Sequence, residues 1–102
     1  MYLIQILLPL YDNDEQPFGR APFERVRTEL TERFGGVTMH MRAPASGAWK
    51  EDGGHVEHDD VVIVEVMEDE PDRAWWADYR GQLERRFRQD EVVIRALPGE
   101  RL

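Results

Sequence analysis

Residues 37–43 read VTMHMRA and alternate between apolar and polar side chains. A period of two is typical of a β-strand that buries one face and leaves the other open. After a loop rich in Pro, Ser and Gly at residues 44–54, residues 57–67 read EHDDVVIVEVM and return as a second strand, whose apolar half is interrupted by Glu65. The two strands predict a β-hairpin in the middle of the chain, with its polar side chains concentrated on one face.

A strand and a helix precede this hairpin, and a helix and a strand follow it. Residues 2–10, YLIQILLPL, form a nearly continuous apolar run, which suits a central strand. Apolar residues recur at helical spacing in residues 23–34, which Gly35 ends, and again in residues 76–87. Residues 92–96 form the last strand. The chain therefore reads strand, helix, strand, strand, helix, strand.

This order of elements predicts an α+β fold in a single domain that spans residues 1–102. Two right-handed crossovers joined by the hairpin give a β-α-β-β-α-β arrangement. We expect a four-stranded antiparallel sheet in the spatial order 4-1-3-2, with both helices on one face. The order resembles the ferredoxin-like plait, and at this length the chain is similar to the dimeric α/β-barrel superfamily.

That superfamily includes small monooxygenases, haem-degrading enzymes, isomerases, dehalogenating enzymes and ligand-sensing domains. Its members commonly pair their open sheet faces and bind ligands between sheet and helices. The resemblance therefore implies a homodimer with a small-molecule ligand. It covers nearly the whole chain and rests on the order of elements, so no catalytic residue is carried over from it and the cofactor stays unknown.

Composition narrows the class of partner. The 102 residues carry 21 acidic and 13 basic side chains, and the net charge of −8 repels nucleic-acid phosphates. No apolar run approaches membrane-spanning length, and residues 1–10 lack the basic start and cleavage site of a signal peptide. The chain has no cysteine, which excludes thiolate metal sites and fits a reducing compartment. We expect a cytoplasmic protein with no nucleic-acid or membrane partner.

Strand parity also predicts what the open face holds. Five aliphatic side chains lie there beside polar ones, so exposure of the whole face to water would be unfavourable. The face is therefore a candidate interface. Among its polar members, Gln5, Glu65 and Arg95 are candidate binding residues. The predicted face comprises Leu3, Gln5, Leu7, Thr38, His40, Arg42, Val61, Ile63, Glu65, Val93 and Arg95.

His40 and Arg42 are the candidate catalytic residues. They lie two apart on one face of a strand, so their side chains project side by side. In one interpretation Arg42 holds an anionic substrate while His40 moves a proton, because histidine titrates near neutral pH. In the other, Arg42 makes a cross-strand ion pair with Glu57 or Asp59, and His40 only lines an interface.

Two tryptophans are further candidates for binding. Trp49 lies in the predicted loop, where a large aromatic side chain is often buried by a second subunit or closes over a ligand. Trp75 and Trp76 are adjacent, so they cannot both point into one core. Trp75 therefore either covers a pocket or anchors a partner, or it packs at the edge of the helix while Trp76 fills the core.

The stretch 55–60, HVEHDD, offers imidazole and carboxylate groups that suit Zn²⁺, Mn²⁺ or Fe²⁺. His55 and His58 are three apart, however, which places them on opposite faces of a strand. They are weak candidates for metal ligands. The polar composition of residues 55–60 is better explained by exposure of this end of the hairpin to solvent. We predict no metal site.

The sequence leaves three classes of function open. The first is a cofactor-light enzyme, monooxygenase-like or isomerase-like, that acts on a small anionic metabolite in a cavity under the helices near residues 11–20 and 44–54. The second is a non-enzymatic ligand-binding or protein-interaction module that uses the same open face. The third is a redox or haem-handling protein that would bind haemin or flavin. The first is expected to be a homodimer, whereas a monomer in solution would favour the second.

Overall fold

The computed structural model describes residues 1–41, 45–50 and 56–102, with side chains in residues 1–41 and 60–102. The strands lie in the order β2-β4-β1-β5, and β3 follows β2 along the same edge of β4. Each of these strand pairs is antiparallel. The elements are β1 (Tyr2–Pro9), α1 (Ala21–Phe34), β2 (Thr38–Met39), β3 (Ala45–Lys50), β4 (Val56–Glu68), α2 (Arg73–Arg86) and β5 (Val93–Pro98).

Because β2 and β3 share one position, the sheet is four strands wide. When the four strand positions are numbered as in the sequence prediction, their spatial order is 4-1-3-2. The predicted α+β plait and its strand order are confirmed.

Residues 45–50 form a strand, which corrects the predicted loop over residues 44–54. The strand predicted over residues 37–43 is shorter than expected, because in the described part of that range only Thr38–Met39 is strand. The strand β3 pairs with β4 from Ala45 opposite Val61 to Lys50 opposite Val56. β4 runs for 13 residues, and β2 pairs with it only at Val64 and Glu65, so the backbone groups on that edge of the first half of β4 need another partner. The low strand propensity of Ala, Ser and Gly concealed this pairing in the sequence.

Both helices cover one face of the sheet. Burial alternates along β1, where Ile4, Ile6 and Leu8 are fully buried and the residues between them are not. The same alternation in β4 and the apolar stripes of the helices complete one core, as the periods of the sequence predicted. The buried residues of this core are Ile4, Ile6, Leu8, Phe23, Val26, Leu30, Val62, Val64, Val66, Trp76, Tyr79, Leu83, Phe87 and Val92.

Local sequence signals fix both helices. α1 has Pro22 in its first turn and ends at Gly35, whose φ of 81° is left-handed and whose N–H bonds to the carbonyl of Thr31 at 2.8 Å. α2 begins after Asp72, whose carboxylate accepts a hydrogen bond from the backbone N–H of Trp75 at 3.1 Å.

An ion pair joins the two helices. Arg86 donates to both carboxylate oxygens of Glu29, at 2.5 and 2.8 Å, and the Tyr79 hydroxyl donates to the same carboxylate at 3.1 Å. These contacts, the hydrogen bond from Arg86 above all, hold the pKa of Glu29 below its ordinary value. Burial, with the nearby Glu29 charge, raises the pKa of Tyr79. The cluster orients α2 on α1 and so fixes the layer that covers the sheet.

Candidate functional site

The open face of the sheet is organised in rows that cross the strands. In the first row Leu3 lies between Met67 and Leu97, and in the third row Leu7 lies between Ile63 and Val93. The row between them is polar: Gln5 of β1 lies between Glu65 of β4 and Arg95 of β5. One polar row is thus bracketed by two apolar rows. Met67, Val93 and Leu97 are among the most exposed large apolar side chains, at 55%, 42% and 42%.

Continuous hydrogen bonds run along the polar row. Arg95 donates from Nε to Oε1 of Gln5 at 2.8 Å, and Gln5 donates from Nε2 to Oε2 of Glu65 at 2.9 Å. The other oxygen of Glu65 lies 2.8 Å from Nε2 of His40. Four side chains from four strand positions therefore form one network, which spans the sheet from edge to edge.

His40 reaches this network from the end of β2. Thr38 pairs with Glu65 and Met39 with Val64, and the backbone N–H of His40 bonds to the carbonyl of Ile63 at 2.9 Å. This register places the imidazole diagonally from the Glu65 carboxylate, within reach of a long side chain. We call the pair His40 and Glu65 the dyad.

The carboxylate of Glu65 is held on the open face by hydrogen bonds to two neighbouring side chains. Its side chain is only 20% exposed although it lies on the open side of the sheet. The hydrogen bond from Gln5, and then the one to His40, hold the pKa of Glu65 below its ordinary value. Glu65 is therefore an ionised carboxylate at neutral pH, fixed in orientation by two neighbours.

This arrangement can support proton transfer. The carboxylate of Glu65 engages one ring nitrogen of His40, which fixes the imidazole orientation and leaves the second nitrogen, Nδ1, to exchange a proton with another molecule. Among the side chains that the structure describes, Nδ1 has no hydrogen-bond partner. The side chain of His40 is 44% exposed, so a substrate or a second subunit can reach it.

The other predicted candidates lie elsewhere. Trp75 is on the helix layer: it stacks on Tyr79 with ring centres 4.8 Å apart, meets Phe34 edge-on, and has the Arg33 guanidinium 4.2 Å from its ring centre. It thus packs at the edge of the helix, one of the two alternatives, and the structure does not bring it to the open face.

Four further candidates fall partly or wholly outside the description. Arg42 and His55 lie outside the described residues. Trp49 and His58 are described by backbone alone, in β3 and β4 respectively. In the described part of the chain, no three His, Cys, Asp or Glu side chains converge as metal ligands, and neither helix is long and apolar enough to cross a membrane.

A second feature, which was not predicted from the sequence, is a cavity of about 260 Å³ between α2 and β5. Two arginines of α2, Arg73 and Arg80, line it together with Trp76 and Ala77. Positions 73, 76, 77 and 80 follow the i, i+3, i+4, i+7 spacing of one helix face, which is the signal that could have revealed it. The cavity lies toward the β1 N-terminus, at the end of the sheet opposite the loops where we expected one.

No protein-family model matches the chain, and no curated protein matches it. Among solved structures, a phage SAM lyase in complex with S-methyl-5'-thioadenosine is similar, with a TM-score of 0.62 over 94% of this chain and 79% of that one. The two sequences are 13% identical, so the likeness concerns the fold. The protein thus shares its α+β plait with an enzyme of known structure, while membership of the dimeric α/β-barrel superfamily stays a prediction.

Proposed function

We propose that the protein is a small cytoplasmic enzyme of the isomerase-like kind, in which the dyad moves a proton on a small anionic metabolite. The observation that carries the proposal is the hydrogen-bonded row Arg95–Gln5–Glu65–His40 between two apolar rows. A carboxylate is costly to place on a half-apolar face unless its charge is used or compensated. Here it orients an exposed imidazole, which is the group most often used for general acid–base catalysis.

The chemistry needs no cofactor. His40 would accept a proton from a carbon next to a carbonyl and return it to the same or the neighbouring atom. Glu65 would stabilise the imidazolium that forms in between. Arg42, two residues from His40, is the proposed binding partner of a substrate carboxylate.

We further propose that a second copy of the chain covers the open face. The exposed apolar side chains of the two outer rows favour burial, and a partner placed over them would exclude water from the dyad. A water-poor site strengthens the electrostatic interactions on which proton transfer depends.

Hydrogen–deuterium exchange tests the proposed chemistry before a natural substrate is known. The protein would be incubated in D₂O with pyruvate, 2-oxobutyrate or phenylpyruvate, and loss of the proton signal next to the carbonyl would be followed by ¹H NMR. We expect exchange above the buffer rate with at least one compound. The variant His40→Gln should slow it by roughly 10²–10⁴-fold, whereas Arg27→Gln on the exposed side of α1 should not. Exchange that persists in His40→Gln, or is absent with every oxo acid, would contradict the assignment.

A second candidate function is binding of a nucleoside thioether without turnover. It is favoured by the similarity to the phage SAM lyase, which was solved with S-methyl-5'-thioadenosine. Titration of that compound and of S-adenosylmethionine by calorimetry tests it. At about a hundred times its dissociation constant a specific ligand adds roughly 2.7 kcal/mol to the free energy of unfolding. Stabilisation with no product formed would favour the binding module over the enzyme.

A further inference from the structure

The cavity between α2 and β5 has a chemically divided lining. Its charged part comes from Arg73 and Arg80 of α2 and from Arg95 of β5. Its apolar part comes from Ile4, Pro71, Trp76, Ala77, Ile94 and Ala96. The volume of about 260 Å³ is roughly that of eight or nine water molecules. A compact molecule with a short apolar body fits such a space.

The two arginines of α2 are available to a ligand. Arg73 and Arg80 are separated by seven residues, so they lie on the same side of the helix about two turns apart. Both are exposed, and among the described side chains neither has a carboxylate within ion-pair distance. The chain has a net charge of −8, so these two guanidinium groups form a local positive patch beside the cavity on an otherwise acidic protein.

The apolar floor is held in place. Trp76 is only 7% exposed, and its indole N–H donates to Oε2 of Glu68 at 2.9 Å. Its ring also stacks on Phe34 with ring centres 5.3 Å apart. The floor therefore needs little reorganisation when a ligand enters, which lowers the entropic cost of binding.

We infer that this cavity binds a small amphipathic anion, an oxyanion head on a short apolar body. The planar fork of arginine matches carboxylate and phosphate oxygens in two parallel hydrogen bonds, so Arg73 and Arg80 are the residues that hold the head. The body lies on Trp76 and the aliphatic side chains. The cavity is a different site from the dyad, because the dyad lies on the open face and Trp76 belongs to the core on the covered face. The two are linked through Arg95, which lines the cavity and donates to Gln5 of the polar row.

Calorimetric titration with three matched probes tests the inference. Benzoate and phenyl phosphate share an aromatic body and differ in the head group, whereas benzyl alcohol keeps the body and carries no charge. We expect saturable binding of at least one anion and at least tenfold weaker binding of benzyl alcohol. The stronger of the two anions identifies carboxylate or phosphate as the preferred head.

Variants locate the binding. The double variant Arg73→Gln/Arg80→Gln should weaken binding of the preferred anion at least tenfold. The control Arg85→Gln, an exposed arginine on the same helix outside the cavity, should leave it unchanged. Ala77→Phe, which fills the cavity from an exposed helix position, should abolish binding while the melting temperature of the free protein stays within a few degrees. Equal binding of benzyl alcohol, equal loss in Arg85→Gln, or no saturable binding of either anion would overturn the inference.

Discussion

Gln5 has more influence on the open face than its neutral side chain suggests. It is the one strongly polar residue in the apolar run of β1, and it joins Arg95 to Glu65 by accepting from the first and donating to the second. Its hydrogen bond is the main cause of the lowered pKa of Glu65. The amide of Gln5, together with His40, thus lowers the pKa of Glu65 and orients its carboxylate.

The first prediction concerns this amide. In Gln5→Met the pKa of Glu65 should rise, because the carboxylate loses its strongest hydrogen bond and keeps its desolvation. The ¹³C chemical shift of the Glu65 carboxyl, followed against pH, measures the change. Thr38→Val is the matched control, since Thr38 lies opposite Glu65 in register and makes no hydrogen bond to it. An unchanged titration in Gln5→Met would show that His40 alone sets the charge of Glu65.

A second prediction concerns Glu29, whose pKa is also lowered in the folded state. A carboxyl with a lowered folded pKa contributes stability above its unfolded pKa and loses it as the pH falls through the folded value. We therefore expect Glu29→Gln to lower the free energy of unfolding by about 1–3 kcal/mol at pH 7. The difference between variant and wild type should shrink as the pH falls below about 4.5.

Urea unfolding at pH 7 and at pH 3 measures this effect. Glu24→Gln is the control, because its ion pair with Arg27 is about half exposed on both sides and exposed pairs contribute little. A loss in Glu24→Gln as large as that in Glu29→Gln would mean that general charge balance, and not the contact between helices, sets the stability.

At the scale of elements, the end of α1 determines where the hairpin begins. Gly35 takes a left-handed conformation with φ of 81°, which turns the chain from helix toward β2. Gly36 follows it without a positive φ. A Cβ on either residue would meet no neighbouring atom within 4 Å, so the two positions differ in backbone conformation and not in the space around them.

The third prediction uses that difference. Gly35→Ala should cost about 1–2 kcal/mol of unfolding free energy, because an L-residue is strained in the left-handed region. Gly36→Ala should stay within about 0.5 kcal/mol. Urea denaturation of both variants provides the measurement, and equal values for the two would show that the left-handed cap does not constrain the turn.

At the scale of the whole molecule, the sheet has one covered face and one open face. The open face exposes Met67, Val93 and Leu97 around a polar row, so a second subunit would have to match both apolar and polar rows. Such a pattern favours one register over others, because a shifted partner would leave the row unpaired.

The fourth prediction is that the protein in solution has at least twice the mass of the 12.0 kDa chain. Size-exclusion chromatography with light scattering gives that mass. Val93→Glu should shift the population toward monomer, because it places a charge in an apolar row of the interface. Thr28→Glu adds the same charge to the exposed side of α1 and should leave the mass unchanged. A wild-type monomer at micromolar concentration would contradict self-association through the open face.

The spacing of apolar residues along the sequence determined the fold and the composition of each face of the sheet. Alternation in residues 37–43 and 57–67, helical spacing in two segments and the order of elements were enough, because burial acts on each element through its own period. The same parity predicted that Gln5, His40, Glu65 and Arg95 lie together on the open face.

Only the tertiary structure decided how these residues connect. Register between strands depends on turns and packing across the whole sheet, so the sequence could not show that Gln5 bridges Arg95 and Glu65 or that His40 meets Glu65 diagonally. The strand at residues 45–50 exists because β4 offers unpaired backbone groups, whatever the local propensity. Helical spacing places Arg73, Trp76, Ala77 and Arg80 on one face of α2, but the cavity arises only where that face meets the edge strand β5, and that contact depends on the tertiary structure.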